Sequence, residues 1–470
     1  MAISQRTLRR WHAWMAWTVG LQVVLWVVSG VYMTAAPIDW IHGDHWVRAD
    51  DRALPAPGSI LVTPAQLQQR FPAIERFTLK PLFGKPVYEV HHGASIALVD
   101  AATGTPLLPL DAGAVRALAQ ARFAGTARIS AVTWLETAPQ EVATRPAPLW
   151  RVDFDHVSAP ALYYSPFTGE LLAKRFAGWR AFDALWMLHI MDYDTREDVN
   201  NVVLRVAAGL ALVFAISGAA LLVAARRRAP AALRGRLPPR PWPYRIHRLL
   251  AWIVGAQLLL WIASGLTMSL LDQRVVEGQH YRRSPAPAAI DLSAVVAPES
   301  LIAAQGARVR AVEFRTAIDG PVYIVRSDAG DRRYGARSGQ PQPVDAALAR
   351  AIAKADYAGP GTVQAAQRLG GPDLETRNHS GSLWRVPVAD DIDTTLYVSA
   401  VTGDVLERRN RVWRIFDVAW MLHIMDYRER RNFNHPLLVA MAFGAACFAG
   451  AGVVLLARRR RRDSRRPVAA

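Results

Sequence analysis

Twelve histidines and a single cysteine set the metal chemistry open to this 470-residue chain. Cys447 alone provides no disulfide, no thiolate cluster and no Cys-x-x-Cys-His attachment site. Any metal would therefore rest on histidine, carboxylates or a non-covalent cofactor. Internal repetition sorts the histidines. Arg10-x-His12, followed by Trp17, Gly20, Gln22, Trp26, Ser29-Gly30 and Met33, recurs 235 residues later as Arg245-x-His247, Trp252, Gly255, Gln257, Trp261, Ser264-Gly265 and Met268. The segment from Arg180 to Tyr193, which holds His189, recurs from Arg414 to Tyr427, which holds His423, with eleven of fourteen positions identical. His45 and His280 correspond as well. His42, His91, His92, His156, His379 and His435 have no clear partner in the other half and read as surface residues.

Spacing suggests what the paired histidines can do. From His12 to Gly30 is about five turns at 3.6 residues per turn, so Val19, Trp26 and Gly30 fall on the His12 face. Val254, Trp261 and Gly265 fall likewise on the His247 face. Such a stripe offers a ligand, a glycine where a ring edge can meet backbone, and an apolar wall, as a planar macrocycle requires. The alternative is an interfacial histidine within an aromatic belt. His189 and His423 each have a Trp three residues before (Trp186, Trp420) and an Asp-Tyr pair three and four after (Asp192-Tyr193, Asp426-Tyr427), all on one helical face. A carboxylate beside an imidazole can fix its tautomer and strengthen it as a ligand. The alternative is a purely structural His–Asp hydrogen bond. No G-x-G-x-x-G before a helix, P-loop or H-E-x-x-H motif is present.

The elements that carry these residues are apolar. Residues 13–38, 206–225, 249–271 and 432–457 hold no Asp, Glu, Lys or Arg, and a membrane span needs ~20 such residues. Buried core helices would not need runs of this length. The whole net charge of +17 lies beside three ends of these stretches: before the first, between the second and third, and after the fourth. The positive-inside bias then places both termini in the cytoplasm and the loops at 37–200 and 272–431 outside. Those basic tracts act as topology anchors, so the high pI calls for no nucleic-acid partner. They also suit contact with anionic lipid. The first stretch has signal-peptide features, but its copy at 249–271 lies mid-chain, so it is read as a permanent helix.

Each outer loop alternates helix and strand. In the first, a Thr-capped helix over 63–70 precedes strands at 74–79, 87–92 and 95–99. A helix at 114–122 then precedes strands at 129–135, 150–154, 162–164 and 170–173. In the second, helices at 299–304 and 346–355 accompany strands at 322–325, 384–388, 396–398 and 404–406. Each loop thus reads as two small α+β units in tandem. The fold class is membrane α plus external α+β, with four spans in two parallel repeats related by a pseudo-two-fold axis along the membrane normal. The segments are a first span (1–36), a loop domain pair (37–182), an interfacial segment with the second span (183–225), a basic loop (226–246), a third span (247–271), a second domain pair (272–416), an interfacial segment with the fourth span (417–457) and a basic tail (458–470).

Tyr164-Ser-Pro-Phe-Thr168-Gly-Glu-Leu and Tyr397-Val-Ser-Ala-Val-Thr402-Gly-Asp-Val resemble the last strand of the PepSY module. PepSY units flanked by spans with histidine near their ends resemble the PepSY-associated transmembrane helix family over nearly the whole chain. That family includes di-haem proteins of the bacterial inner membrane that reduce ferric siderophores. The resemblance implies two haems and an oxidoreductase that moves electrons across the membrane to a periplasmic ferric siderophore or similar iron chelate. With no flavin or nicotinamide domain in the chain, the electrons come from a cytoplasmic reductase or from quinol. Without cysteine attachment both haems are b-type, and bis-histidine ligation suits electron transfer. Symmetry pairs His12 with His247 near the cytoplasm, and His189 with His423 near the periplasm. His45 and His280 are rivals for the outer site. Trp26, Gly30, Trp261 and Gly265 would line the cofactors, and Asp192 and Asp426 would support the outer ligands. Arg205, near the start of the second span, would either meet a haem propionate or snorkel to the surface. A straight helix over 12–36 would rise about 36 Å, a depth for two stacked haems rather than one. Two other readings stay open: a PepSY-based binding or regulatory protein without redox activity, and an electron conduit for a partner enzyme.

Overall fold

The computed structural model describes residues 4–55, 58–107, 109–227, 241–283 and 290–463. Most of the basic loop (228–240) and the end of the basic tail (464–470) lie outside the described residues. The first half runs α1 (Gln5–Thr18), α2 (Gly20–Ala35), α3 (Ile38–Ile41), α4 (Pro64–Arg70), β1 (Ile74–Leu82), β2 (Lys85–His92), β3 (Ser95–Asp100), β4 (Pro106–Leu107), α5 (Ala112–Arg122), β5 (Ile129–Leu135), β6 (Leu149–Phe154), β7 (Ala161–Tyr164), β8 (Leu171–Arg175), α6 (Ala177–Ile190) and α7 (Val202–Arg227). The second runs α8 (Trp242–Ile253), α9 (Gly255–Leu270), α10 (Gln273–Val276), α11 (Pro298–Ala303), β9 (Val309–Ala317), β10 (Gly320–Ser327), β11 (Arg332–Gly335), α12 (Ala346–Asp356), β12 (Thr362–Val363), β13 (Gln367–Leu369), β14 (Leu383–Ala389), β15 (Thr395–Ser399), β16 (Val405–Arg409), α13 (Arg411–Ile424) and α14 (Pro436–Asp463). The chain forms two compact units: a helical unit of residues 1–41, 178–276 and 412–470, and an α+β unit of residues 42–177 and 277–411.

In the α+β unit every strand expected from sequence forms, and β4, β9, β11, β12 and β13 are added to them. β9 was not anticipated, and through it the first α+β pieces of the two halves merge into one seven-stranded sheet of order β11-β10-β9-β1-β2-β3-β4. They do not stand as separate tandem units. In the antiparallel β1–β9 pair, Thr78 faces Glu313, Phe77 faces Phe314 and Leu79 faces Val312. Thr78 and Glu313 occupy equivalent repeat positions, so a local two-fold axis passes between them. The alternation of the strands sends Phe77, Leu79, Val312 and Phe314 to one fully buried face. There Phe77 and Phe314 stack at 4.8 Å. Pairing also removes two apolar strand edges that would otherwise invite aggregation. The second pieces form separate sheets, β5-β6-β7-β8 and β12-β14-β15-β16, with β13 also on β14.

Among the described residues of the helical unit, two helices are long and apolar enough to cross a membrane, within α7 and α14. The number rises to four if α1 with α2, and α8 with α9, each count as one bent span. These pairs bend by 61° and 60°. The breaks fall at Val19 and Val254, each followed by a glycine (Gly20, Gly255) whose missing side chain leaves the backbone freer to bend. The straight helix expected over 12–36 is therefore absent, and with it the depth argument for two stacked cofactors. The halves interlock: α1 packs on α7 and α8 on α14, whereas α2 packs on α14 and α9 on α7.

Two asparagines fasten the interlock. Asn434 Nδ2 donates to the carbonyls of Met33, Thr34 and Ala36 at the end of α2, and its Oδ1 accepts from Ile38 N. Its repeat equivalent, Asn200, donates to Ser269 O and Leu271 O at the end of α9 and accepts from Gln273 N. Each half thus satisfies carbonyls that the other half's helix end leaves open. Asn434→Ala or Asn200→Ala is expected to destabilise the helical unit by about 1–3 kcal/mol, the cost of a buried polar group left unpaired. Asn434→Asp should do at least as much damage, because it adds negative charge at a helix C-terminus. Thermal unfolding of the detergent-solubilised chain reads this, and unchanged midpoints in all three variants would remove the asparagines from the interlock.

Candidate functional site

α6 and α13 bring His189 and His423 together. Their ring centres lie 6.2 Å apart with planes at 86°. Each Nδ1 is engaged: His189 with Ser29 Oγ at 2.9 Å, and His423 with Ser264 Oγ at 3.1 Å and Trp261 O at 3.2 Å. Neither Nε2 has a hydrogen-bond partner among the described residues. Two imidazoles on opposite sides of one metal, each bonded at about 2 Å, place their ring centres roughly 6 Å apart. The pair therefore has the separation of an axial ligand set. No cluster of three or more His, Cys, Asp or Glu that could hold a metal ion exists among the described residues. The remaining coordination positions would have to come from the ligand itself.

The surroundings suit such a ligand. The rings face a cavity of about 330 Å³ whose wall holds no Asp, Glu, Lys or Arg. Both halves line it with equivalent residues, among them Trp26 and Trp261, Gly30 and Gly265, and Trp186 and Trp420. A Cβ on Gly30 would meet nothing within 4 Å, whereas one on Gly265 would lie 3.4 Å from His423 Cε1. Trp26 Nε1 donates to His189 O at 2.7 Å. Trp261 Nε1 is buried without a hydrogen-bond partner.

The turn after each histidine is built twice in the same way. Met191 and Met425 end their helices in the left-handed region, at φ 54° and 56°. Trp186 Nε1 then donates to Arg196 O and Trp420 Nε1 to Arg430 O, while Arg196 pairs with Asp183 and Arg430 with Asp417. Asp192 accepts from the N–H groups of Asp194, Thr195, Glu197 and Asp198 and from the Thr195 hydroxyl. Asp426 accepts from the N–H groups of Arg428, Glu429, Arg431 and Asn432. These contacts correct the expectation that Asp192 and Asp426 support the imidazoles. The carboxylates close their own loops, and serine hydroxyls take the Nδ1 position. Burial pushes both carboxyls up, but the hydrogen bonds outweigh it and hold them well below the usual carboxylate range.

His12 and His247 are placed differently. His12 Nδ1 meets Ser217 Oγ at 2.8 Å, and its ring stacks on Phe214 at 4.6 Å. His247 Nδ1 meets Phe448 O at 3.2 Å, and its ring stacks on Phe448 at 4.4 Å. A Cβ on Gly218 would lie 3.0 Å from His12 Cε1, and one on Gly452 3.3 Å from His247 Cε1. Among the described residues the rings of His12 and His247 make no contact like that of His189 and His423. The bends at Val19 and Val254 break the expected stripe. Trp26, Gly30, Trp261 and Gly265 consequently line the His189–His423 cavity and not a His12–His247 one.

The rivals lie elsewhere. His45 packs on Trp46 and Phe176, and His280 stacks on Tyr281, both in the α+β unit. Arg205 Nε donates to Ser269 O at 2.7 Å, adding a cation to the end of α9. His435, expected at the surface, instead caps α14. Its Nδ1 accepts from Leu438 N and its Nε2 donates to Ile424 O. Sequence reasoning also gave no role to Ser29, Ser264, Ser217, Phe214, Phe448, Gly218 or Gly452. Ser29 and Ser264 stood inside the repeated motif, and the remainder share the 234-residue offset except Ser217, whose counterpart is Ala451.

Residues 9–459 match the family described as PepSY-associated TM region, and the chain belongs to it. No curated protein matches the chain.

The loop carboxylates give a pH test. A carboxyl whose folded pKa is depressed adds stability above its unfolded pKa of ~3.9, and that stability is lost as pH falls. Asp192→Asn should therefore lower the thermal midpoint at pH 7, with the gap to the native chain narrowing below pH of about 4. A gap that stays constant from pH 7 to 3 would mean that the ionised carboxylate does not hold the loop.

Proposed function

We propose that this member of the PepSY-associated TM family is a haem-containing oxidoreductase of the bacterial inner membrane, with both termini cytoplasmic and the α+β unit periplasmic, delivering electrons to a periplasmic ferric chelate such as a ferric siderophore. The positive-inside bias of the basic tracts supports the orientation. One observation carries the redox reading: the perpendicular, Nδ1-bonded pair of His189 and His423, with ring centres 6.2 Å apart on the wall of one apolar cavity. Non-covalent haem bound between them supplies reversible one-electron chemistry. The Nε2 atoms of His189 and His423 would hold its iron, and non-covalent attachment would make it a b-type electron-transfer site.

The chain's own residues do the rest. Trp26, Trp186, Trp261 and Trp420 wall the cavity and exclude water. Gly30 leaves room beside the ligand pair. The acceptor takes one electron per ferric ion, which weakens oxygen-donor chelation and releases iron. Quinol or a cytoplasmic reductase supplies that electron. A second haem at His12 and His247 belongs to the same proposal, with a less closed geometry behind it.

The pairing makes an all-or-none prediction. His189→Ala and His423→Ala should each abolish the same haem equivalent, because neither half can form the site alone. A pyridine haemochrome count per chain, with a highly anisotropic low-spin EPR signal from perpendicular rings, reads this. His12→Ala or His247→Ala should spare that equivalent. Colourless native protein would instead favour a PepSY-based binding or regulatory role. Haem that ferric siderophore does not reoxidise would make the chain a conduit for a partner enzyme.

A further inference from the structure

Three serines touch the Nδ1 atoms of His189, His423 and His12. Ser29 Oγ donates to Trp26 O at 3.0 Å, Ser264 Oγ to Leu260 O at 2.6 Å, and Ser217 Oγ to Phe214 O at 2.6 Å. A hydroxyl has one proton to donate and lone pairs to accept with. Once that proton goes to a carbonyl, the oxygen can only accept from the histidine it also touches. The Nδ1 atoms of His189, His423 and His12 must therefore carry hydrogen. His247 reaches the same state directly, because Phe448 O can only accept. A neutral imidazole protonated at Nδ1 keeps its lone pair on Nε2.

We infer that Ser29 and Ser217 are positioning residues that lock His189 and His12 in the Nδ1–H tautomer and so present Nε2 to a metal, while at His423 the Trp261 carbonyl sets the same tautomer and Ser264 only seconds it. The inference deepens the haem proposal and rests on it for its purpose, though the tautomers themselves exist without haem. All three serines are buried, so their geometry is not shared with water. The lock is uneven. His189 Nδ1 depends on Ser29 alone, whereas His423 Nδ1 also reaches Trp261 O. At the other pair, Ser217 stands between His12 and a carbonyl, while Ala451 in the second half lets His247 bind Phe448 O directly. His435 is held the opposite way, donating through Nε2 and accepting at Nδ1. It has no nitrogen free for a metal.

Long-range 1H–15N correlation spectra of the full chain, 15N-labelled at histidine and free of haem, test this directly. His189 is assigned by the signals lost in His189→Gln. The native chain should show Nδ1–H at His189, His423, His12 and His247, with Nε2–H at His435 as the internal contrast. Ser29→Ala should turn His189 into a tautomer mixture, Ser29→Thr should restore it, and Ser264→Ala should leave His423 unchanged. In the haem-loaded chain, Ser29→Ala should raise the midpoint potential, because losing the hydrogen bond weakens the imidazole as an electron donor, and Ser29→Thr should return it. An Nε2–H tautomer at His189 in the native chain overturns the inference even if Ser29→Ala does not fold. So does a Ser29→Ala chain with native tautomer and potential. A native chain that binds no haem defeats the proposed function, and the tautomer spectra still decide the serines.

Discussion

Two imidazoles contributed by different halves of the chain meet in an apolar cavity, and the helical unit is arranged around keeping them there. Neither half can form the pair alone, since each supplies only one of the two histidines. The interlock solves this. α2 leaves its own half to pack on α14, and α9 does the reverse onto α7. Ser29 on α2 nevertheless reaches back to His189, and Ser264 on α9 to His423. The histidine–serine contacts therefore stay within a half, while the packing of α2 on α14 and of α9 on α7 and the asparagine clamps run between halves. The same two-fold logic recurs in the α+β unit, where β1 and β9 join around Thr78 and Glu313.

The cavity imposes a strict condition on polarity. With no charged side chain on its wall, donors there depend on backbone carbonyls: Trp26 Nε1 finds one at His189 O, whereas Trp261 Nε1 is left unpaired among the described residues, at a cost of about 1–3 kcal/mol. The histidine turns meet that condition with local bonding. Each holds two non-glycine residues in the left-handed region, Met191 with Arg196 and Met425 with Arg430, at a cost of order 1–3 kcal/mol per residue. The Asp192 and Asp426 carboxylates offset this by collecting backbone N–H groups that a tight turn leaves open. Ionised carboxylates accept such bonds more strongly than neutral acceptors do.

Much of this was legible in the sequence because duplication exposed it. The long identity around His189 and His423 singled out the histidines that the structure brings into contact. Alternating apolar residues placed the strands of the α+β unit within a few residues of their observed ends. What failed depended on three-dimensional context. Periodicity assumes a straight helix, so a glycine-weakened bend at Val19 moved Trp26 and Gly30 away from His12 and into the other site. Proximity in sequence suggested that Asp192 serves His189, yet the left-handed turn at Met191 points the chain into a loop that claims the carboxylate. The edge of β1 gave no sign of its partner because the pairing of β1 with β9 spans more than two hundred residues, and a register carries no local signature.

The unmatched histidine shows why repetition works as a filter and where it misleads. His435 has Asn201 as its counterpart, and the two do one job with different chemistry. Asn201 Oδ1 accepts from Leu204 N while its Nδ2 donates to Ile190 O; His435 Nδ1 accepts from Leu438 N while its Nε2 donates to Ile424 O. One donor and one acceptor suffice there, so an amide and an imidazole are interchangeable. The same tolerance explains why a hydroxyl relay at Ser217 can face a direct carbonyl contact beside Ala451. At positions 189 and 423 no such exchange has occurred between the halves. Those positions call for a donor at one ring nitrogen and a bare lone pair at the other, on a rigid ring that spans the two. Among the common side chains only a neutral imidazole offers that combination, which is what the proposed haem site would ask of both positions.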